Sequence, residues 1–416
     1  MFMNASPISK LLLLTAWTSA YLLIAAITAF PAAAQTTNTF TEWTTSSSSS
    51  QPLHVISAGP TQIYFTESAR NRIGSLNTAT NTVNEWLLPP GGIPHGLVLD
   101  SNSNLVFCAV GGDYLGILNP STNQLTEYPM PTAGGGSIHL DTTVSGAGTP
   151  IYFLSESTGN KIAMVDPSSP TQVTEWTVPT AASNPRGVSI GPADGPGWQV
   201  YFVELNAHKI GMLDTFTNQI TEWLLLHVRQ AEHIHYVPNS NGVGGLVYFG
   251  DLADSYVGVL DPDSTSNTET LWSAPTNLAG VADVLVEQGT YPQIYFSERT
   301  ASQIGFLDTS QNPGTVYSIT NVVTNAVTLT QTAVTPEIYD LTKAAITAVV
   351  IPVVTNVLGT TTNGFTEWPI PTPNSGPLGI AGLGTTSVIF AEYNTGKVAI
   401  MAPSSPVGRP KVSASK

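Results

Sequence analysis

The chain holds a single cysteine, Cys108, in 416 residues. One thiol excludes a disulfide within the chain, so stability must come from burial, for which a chain this long has interior enough. Nothing beside Leu105-Val106-Phe107-Cys108 would lower the thiol's pKa, which argues against a nucleophile there. Charge is also scarce. Only 10% of residues are charged, with 13 basic against 28 acidic side chains and a formal net charge of −15. Unclustered, sparse cations disfavour nucleic acid and anionic membranes as partners. The negative balance reads as a solubility device. Past residue 30 no stretch looks membrane-spanning; Ala344 to Leu358 is apolar but short, and broken by Thr and Pro352. No Gly-x-Ser-x-Gly, His-Glu-x-x-His or phosphate-loop motif is present.

The N-terminus differs from the rest. Lys10 precedes an apolar run from Leu11 to Phe30, and Ala32-Ala33-Ala34 supplies the small residues an exporting peptidase needs. Residues 1–34 therefore read as a signal peptide, and the protein as secreted, to the cell exterior or periplasm. A retained anchor is the alternative, because the run is near the roughly 20 residues that span a bilayer. Residues 403–416, with Arg409, Lys411 and Lys416, read as a loose, solvated tail.

Between these ends the chain repeats itself. Ile63-Tyr64-Phe65-Thr66-Glu67, then Arg72-Ile73-Gly74-Ser75-Leu76-Asn77, then Val83-Asn84-Glu85-Trp86 recur as Val200-Tyr201-Phe202-Val203-Glu204, Lys209-Ile210-Gly211-Met212-Leu213-Asp214 and Ile220-Thr221-Glu222-Trp223. Several strands per unit at a period of about 40–50 residues is the signature of a β-propeller. With strands named a to d from the axis outwards, the spacing predicts a single all-β domain over 35–402. It would have eight four-stranded blades, or seven with an insertion at 321–364. In the eight-blade reading, Ile338 and Ile346 open strands b and c of a worn seventh blade, Tyr317 marks strand d of the sixth and Trp368 strand d of the seventh. The last unit lacks a d strand, and Phe40-Thr41-Glu42-Trp43 is expected to supply it and close the ring. Ser46 to Ser50 then reads as a flexible tether.

Several repeated residues have structural explanations. Glu67 and Arg72, Glu156 and Lys161, Glu204 and Lys209, and Glu392 and Lys397 sit at a spacing that suits ion pairs across a hairpin. Asp166, Asp214, Asp261 and Asp308, with Asn77 and Asn119, are placed to cap the c–d turns. The Glu-Trp tryptophans are expected to pack between blades.

Chemistry is expected on the face where strands a begin and strands b end. His54, His95 and His139 lie near the starts of the first three a strands, Arg186 takes the place of His95 in the fourth, and His233 and His235 open the fifth. Facing carboxylates would be Glu67, Glu204, Asp251, Glu298 and Glu392. Imidazoles opposite carboxylates can bind a divalent ion or move protons.

Ile93-Pro94-His95-Gly96-Leu97, Tyr64-Phe65-Thr66-Glu67, Asn160-Lys161-Ile162 and Leu125-Thr126-Glu127-Tyr128-Pro129 resemble the repeat of the streptogramin lyases, the virginiamycin B lyase-like propellers. That resemblance implies a seven-bladed propeller and a Mg2+-dependent elimination, in which a metal polarises an ester carbonyl, a His takes the α proton and a cyclic depsipeptide opens without water. It implies His233 as the base, with Asp251 and Glu298 on the metal side. The Glu-x-His pair of the family's active enzymes is missing, since the corresponding strand ends read Asp251-Leu252-Ala253 and Glu298-Arg299-Thr300. Two functions therefore compete. One is a secreted, monomeric propeller that holds a small molecule, peptide or glycan at the channel mouth, through His54, His95, His139, Arg186 and His235. The other is the lyase. A calcium-dependent lactonase fits worst, for want of a Glu/Asn/Asp ligand set.

Overall fold

The computed structural model describes residues 36–403, apart from 193–195, 240–243, 265–266, 288, 290–291, 325–326, 346–349 and 385. The expected signal peptide and the tail beyond Pro403 lie outside the described residues. Among the described residues no helix is long and apolar enough to cross a membrane.

Seven antiparallel sheets of five strands form the propeller. This corrects the expectation of eight four-stranded blades. Blade 4 illustrates the unit: a is Pro185–Ile190, b is Gln199–Glu204, c is Lys209–Asp214 and d is Gln219–Leu224. Strands b and c alternate apolar residues into the spaces between blades, and Val200, Phe202, Ile210 and Leu213 are fully buried there. The glycine of the Ile-Gly pattern has a packing cause. A Cβ on Gly74 would stand 2.2 Å from the ring of Phe65 on strand b, and Gly211 faces Phe202 in the same way.

The fifth strands come from one segment, Thr315 to Thr362, which pairs along the outside of each blade in turn. Thr315–Ser318 joins blade 5, Asn321–Thr324 blade 4, Leu329–Thr332 blade 3, Glu337–Asp340 blade 2 and Lys343–Ala345 blade 1. Val353–Leu358 then pairs with the N-terminal strand of blade 7, and Thr360–Thr362 joins blade 6, whose d strand follows as Phe365–Pro369. The segment is a belt, not a blade. Ile338 shows why: it is 64% exposed, whereas Ile63, Val200 and Ile294, at true b-strand positions, are 0% exposed. Tyr317 belongs to the belt, and Trp368 to blade 6. Ile346 lies outside the described residues.

Ring closure occurs as the sequence suggests. Thr37–Thr44 is the d strand of blade 7, with Phe40 opposite Met401 and Trp43 opposite Val398. Ser46 to Ser50 is no free tether, because Ser50 is fully buried and bonds the Thr45 hydroxyl at 2.8 Å. Tryptophans latch the blades together. The Trp43, Trp86, Trp176 and Trp223 indoles donate to Asn81, Asn123, Asn218 and Asn267, each a left-handed turn residue of the next blade. Asn77, Asn119, Asp214 and Asp261 cap their c–d turns by accepting backbone N–H groups. The expected ion pairs form differently. Arg72, Lys161 and Lys209 pair with Glu85, Glu175 and Glu222 of strand d, although Glu67, Glu156 and Glu204 stand opposite them in the ladder.

Candidate active site in the axial channel

The site is built by a defect repeated seven times. In every blade the a–b ladder shifts register near the start of strand a, as between Pro52 and Val55 or between Ala231 and Ile234. Such a bulge turns consecutive side chains towards the axis. The residue before the terminal acid of strand b fixes it in three blades. The Thr66 hydroxyl accepts the His54 N–H at 3.1 Å and donates to the His95 carbonyl of the next blade at 3.0 Å. Ser155 accepts from the His139 N–H, and Ser297 from that of Asp283.

Two layers result. The second residues of the a strands read Leu53, His95, Ile138, Arg186, Glu232, Ala282 and Leu378 around the ring. Five of them, Leu53, His95, Ile138, Glu232 and Leu378, line an upper chamber of about 560 Å3 together with Ile93, Arg299 and Tyr393. Arg186, outside that lining, pairs with Glu232 at 2.7 Å. The third residues read His54, Gly96, His139, Gly187, His233, Asp283 and Gly379. Histidine and glycine alternate, and the glycines make room. A Cβ on Gly96 would lie 3.0 Å from the Cα of His139, one on Gly187 2.9 Å from that of His233, and one on Gly379 3.0 Å from that of His54. Below this ring a narrower space of about 210 Å3 continues along the axis past Asp141, His235 and Asp283. His54 and His233 border both spaces.

His54, His139 and His233 each bring a ring nitrogen within 4.8 Å of the others, a spacing that a metal ion can bridge. Their ring centroids stand 4.4–5.1 Å apart, and His95 packs 4.8 Å from His139. Nε2 of His54, Nε2 of His139 and Nδ1 of His95 are buried without a hydrogen-bond partner. Burial, then the neighbouring His233, pushes the pKa of His54 down to about 3, and burial with the adjacent imidazoles holds His95 and His139 well below the usual value. These rings are therefore neutral, and each keeps a nitrogen lone pair for a hydrogen bond or a metal.

Asp283 anchors one side. Its Oδ1 lies 3.1 Å from His235 Nε2 and 3.7 Å from His233 Nδ1, while the Ile380 N–H reaches Oδ2. Burial works against this carboxylate, but His233 and His235 outweigh it and keep its pKa well below the ordinary carboxylate range. For His235 burial is likewise outweighed by the bond to Asp283, and its pKa rises.

The carboxylates expected opposite the imidazoles lie elsewhere. Asp251 accepts the N–H groups of Arg229, Gln230 and Ala253, and Glu298 is buried against Glu367. Glu67, Glu204 and Glu392 turn back against Glu85, Glu222 and Glu42 of strand d. None of the five lines either part of the channel. The structure thus brings together His54, His95, His139, Arg186, His233 and His235, and leaves Asp251 and Glu298 apart from them. Asp283 was not singled out from the sequence. Its signal was present, because it holds the third a-strand position that His54, His139 and His233 hold. His208 and His227 stand away from the channel, bonded to the Arg229 carbonyl and packed on Tyr317.

Comparison with known proteins bears on this channel. A model of the virginiamycin B lyase family matches residues 30–283, more than half of the chain and every histidine in it. The chain belongs to the virginiamycin B lyase family. Solved structures agree on the fold. Virginiamycin B lyase from Staphylococcus aureus superposes with a TM-score of 0.62 at 18% identity, over 87% of this chain and 98% of that one. A streptogramin B lyase gives 0.62 at 19% identity, over 88% and 98%. A catalytically inactive variant of the Staphylococcus aureus enzyme with quinupristin gives 0.63 at 18% identity, over 87% and 98%. No curated protein matches the chain.

Mg2+, which the family resemblance implies, does not fit these residues. It is a hard ion that takes oxygen ligands in octahedral geometry, whereas the convergent donors here are imidazole nitrogens. A metal-assisted site in general does fit.

Proposed function

We propose that the protein is a metal-assisted carbon–oxygen lyase that opens an ester of a cyclic depsipeptide by elimination in the upper chamber. One observation carries the reading: four imidazoles from four blades converge on the axis, three of them lining a chamber of about 560 Å3, in a propeller of this family. A binding role, the first expectation from the sequence, needs only a polar or aromatic rim and gives no reason for that convergence. Of the similar structures, one is a streptogramin B lyase and another holds quinupristin, which suggests the substrate class.

Roles follow from position. His54, His139 and His233 hold an ion, which when bound supplies a Lewis acid to draw charge from the ester. His233, expected from the sequence to be the base, acts as a ligand in this reading. His95 lines the chamber outside that trio and is the remaining neutral imidazole, so it serves as proton acceptor. It takes the proton from the carbon adjacent to the alkyl carbon bearing the ester oxygen. The electron pair becomes a C=C bond, the alkyl C–O bond breaks, and the carboxylate leaves with that oxygen. Leu53, Ile138, Leu378 and Tyr393 wall the chamber against water and suit an apolar macrocycle. Arg299, stacked on Tyr393 at 5.3 Å, and the Arg186–Glu232 pair give its rim polar handles.

The test is incubation with a streptogramin B depsipeptide, followed by chromatography and fragmentation, because elimination leaves mass unchanged. His95→Ala is expected to lower kcat by about 10²–10⁴-fold, the usual contribution of a general base, with bound metal retained. Full activity in that variant would remove His95 from the mechanism. No turnover by the unaltered protein, tested as isolated and with added divalent ions, would return it to the binding class.

A further inference from the structure

The third-position ring has a composition that the lyase reading alone does not require. It places three imidazoles, no carboxylate ligand and three glycines at seven equivalent positions, with the seventh occupied by Asp283. We propose that His54, His139 and His233 form a three-nitrogen site for a borderline transition ion of the zinc class, with Asp283 behind it and a fourth coordination position open to the upper chamber. This deepens the lyase reading and rests on it for the ion's purpose, but not for its occupancy.

Three observations carry the proposal. First, the donors are preplaced by backbone. Each of the three histidines stands on a bulge, and in blades 1 and 3 its N–H is held by Thr66 or Ser155. Gly96, Gly187 and Gly379 let the neighbouring strands close in where any side chain would push the histidines apart. Second, Nε2 of both His54 and His139 is buried without a partner, which costs free energy unless something fills the gap between them. Third, Asp283 bonds His235 at 3.1 Å and stands 3.7 Å from Nδ1 of His233, so a small shift of that ring towards it, as the site closes on an ion, brings the carboxylate into hydrogen-bond reach. A carboxylate behind a ligating imidazole orients the ring and raises its basicity.

The chemistry selects the ion. Three imidazoles suit Zn2+ and its neighbours Co2+ and Ni2+, whereas Mg2+ and Ca2+ want oxygen. Zinc–nitrogen bonds of about 2.0–2.1 Å put tetrahedral donors about 3.3 Å apart, so the rings must draw together by roughly 1.5 Å at most from their present 4.8 Å limit. Three protein ligands with one open position is the catalytic, not the structural, arrangement. Because His54 and His233 border both the upper chamber and the channel below, the open position has access to a substrate-sized space.

The test uses the full-length purified protein, stripped with a chelator and dialysed against Zn2+, Co2+ or Mg2+, with bound metal measured by elemental analysis and the Co2+ form by its visible absorption. One equivalent of Zn2+ or Co2+ is expected, undisplaced by millimolar Mg2+, with a Co2+ spectrum of four-coordinate intensity. His139→Gln and His54→Ala should abolish stoichiometric binding, while His208→Ala keeps it. Asp283→Asn should keep the stoichiometry and weaken affinity about 10–100-fold, as loss of an orienting carboxylate does. Each variant's melting curve without metal is compared with the parent's, so that unfolding is not read as lost binding. No stoichiometric ion, binding that survives His54→Ala with His139→Gln, or displacement by Mg2+ would overturn the proposal. Metal bound without ester opening would leave this site standing and sink the lyase reading. Opening by the stripped protein, with one equivalent of Zn2+ still bound on reconstitution, would leave the site standing and sink the ion's part in the lyase reading.

Discussion

The belt and the blades it encircles are both β-structure, yet they are held for different reasons. Inside a blade each position answers to a neighbour. Phe202 must lie over Gly211, and Trp176 must reach Asn218 in the next blade. On the belt most strand side chains answer to little, although Ile319 and Val327 between the strands are buried against the blades and Tyr317, Tyr339 and Val357 pack partly on them. Val316, Val322, Val353 and Val354 are more than half exposed, and the strands are held through their ladders. Packing imposes a sequence, whereas backbone pairing imposes only β-propensity. The belt also covers the outer edge of every blade, which four-stranded blades would leave open to pairing with other chains.

Substitution should expose the contrast. Phe202→Ala, in a fully buried position, is expected to cost about 3–5 kcal/mol in chemical denaturation, the usual loss for a buried Phe. A cost below about 1 kcal/mol would mean that the blade core is loosely packed. Val322→Thr on the belt, 61% exposed, should change stability by no more than about 0.5 kcal/mol. A large loss there would show that the belt packs through its side chains after all.

Between those extremes lies an effect of pH. Burial first, and then the facing strand-d glutamate, raises Glu67 to about 7, Glu204 and Glu392 to about 8, and Glu156 and Glu298 to about 9, against an ordinary 4.5. A carboxyl whose pKa is higher in the folded chain stabilises fully below its unfolded pKa and loses that contribution as pH rises through the folded value. The blades should therefore melt at a higher temperature near pH 4.5 than near pH 9. Glu156→Gln should flatten the upper part of that slope. Rising stability across the same window would mean that these carboxyls are ionised and solvated.

The same division decides what the sequence discloses. The four inner strands, the closing strand Thr37–Thr44, the turn caps and the interblade tryptophans were legible because packing and capping repeat the same residue types. The belt was not. At the right spacing Ile338 and Tyr317 imitated a blade, and nothing in composition separates an exposed outer strand from a worn inner one. The site was half legible. The a-strand histidines pointed to the channel, but placing His95 and His139 in one class concealed two layers offset by a single residue. Counting from each bulge separates them, and that count brings Asp283 into line with His54, His139 and His233. The places of Glu298 and Asp251 were not legible either, because a strand-end acid looks the same in sequence whether it faces the axis or, as here, another carboxyl or backbone N–H groups.

The most direct test of the account is a crystal structure of the protein soaked in Zn2+, with anomalous difference density collected across the zinc edge. The account predicts one strong axial peak about 2.0–2.1 Å from a nitrogen of each of His54, His139 and His233, beside the upper chamber. A peak among the strand-end carboxylates of Asp251 or Glu298, or none in the channel, would contradict it.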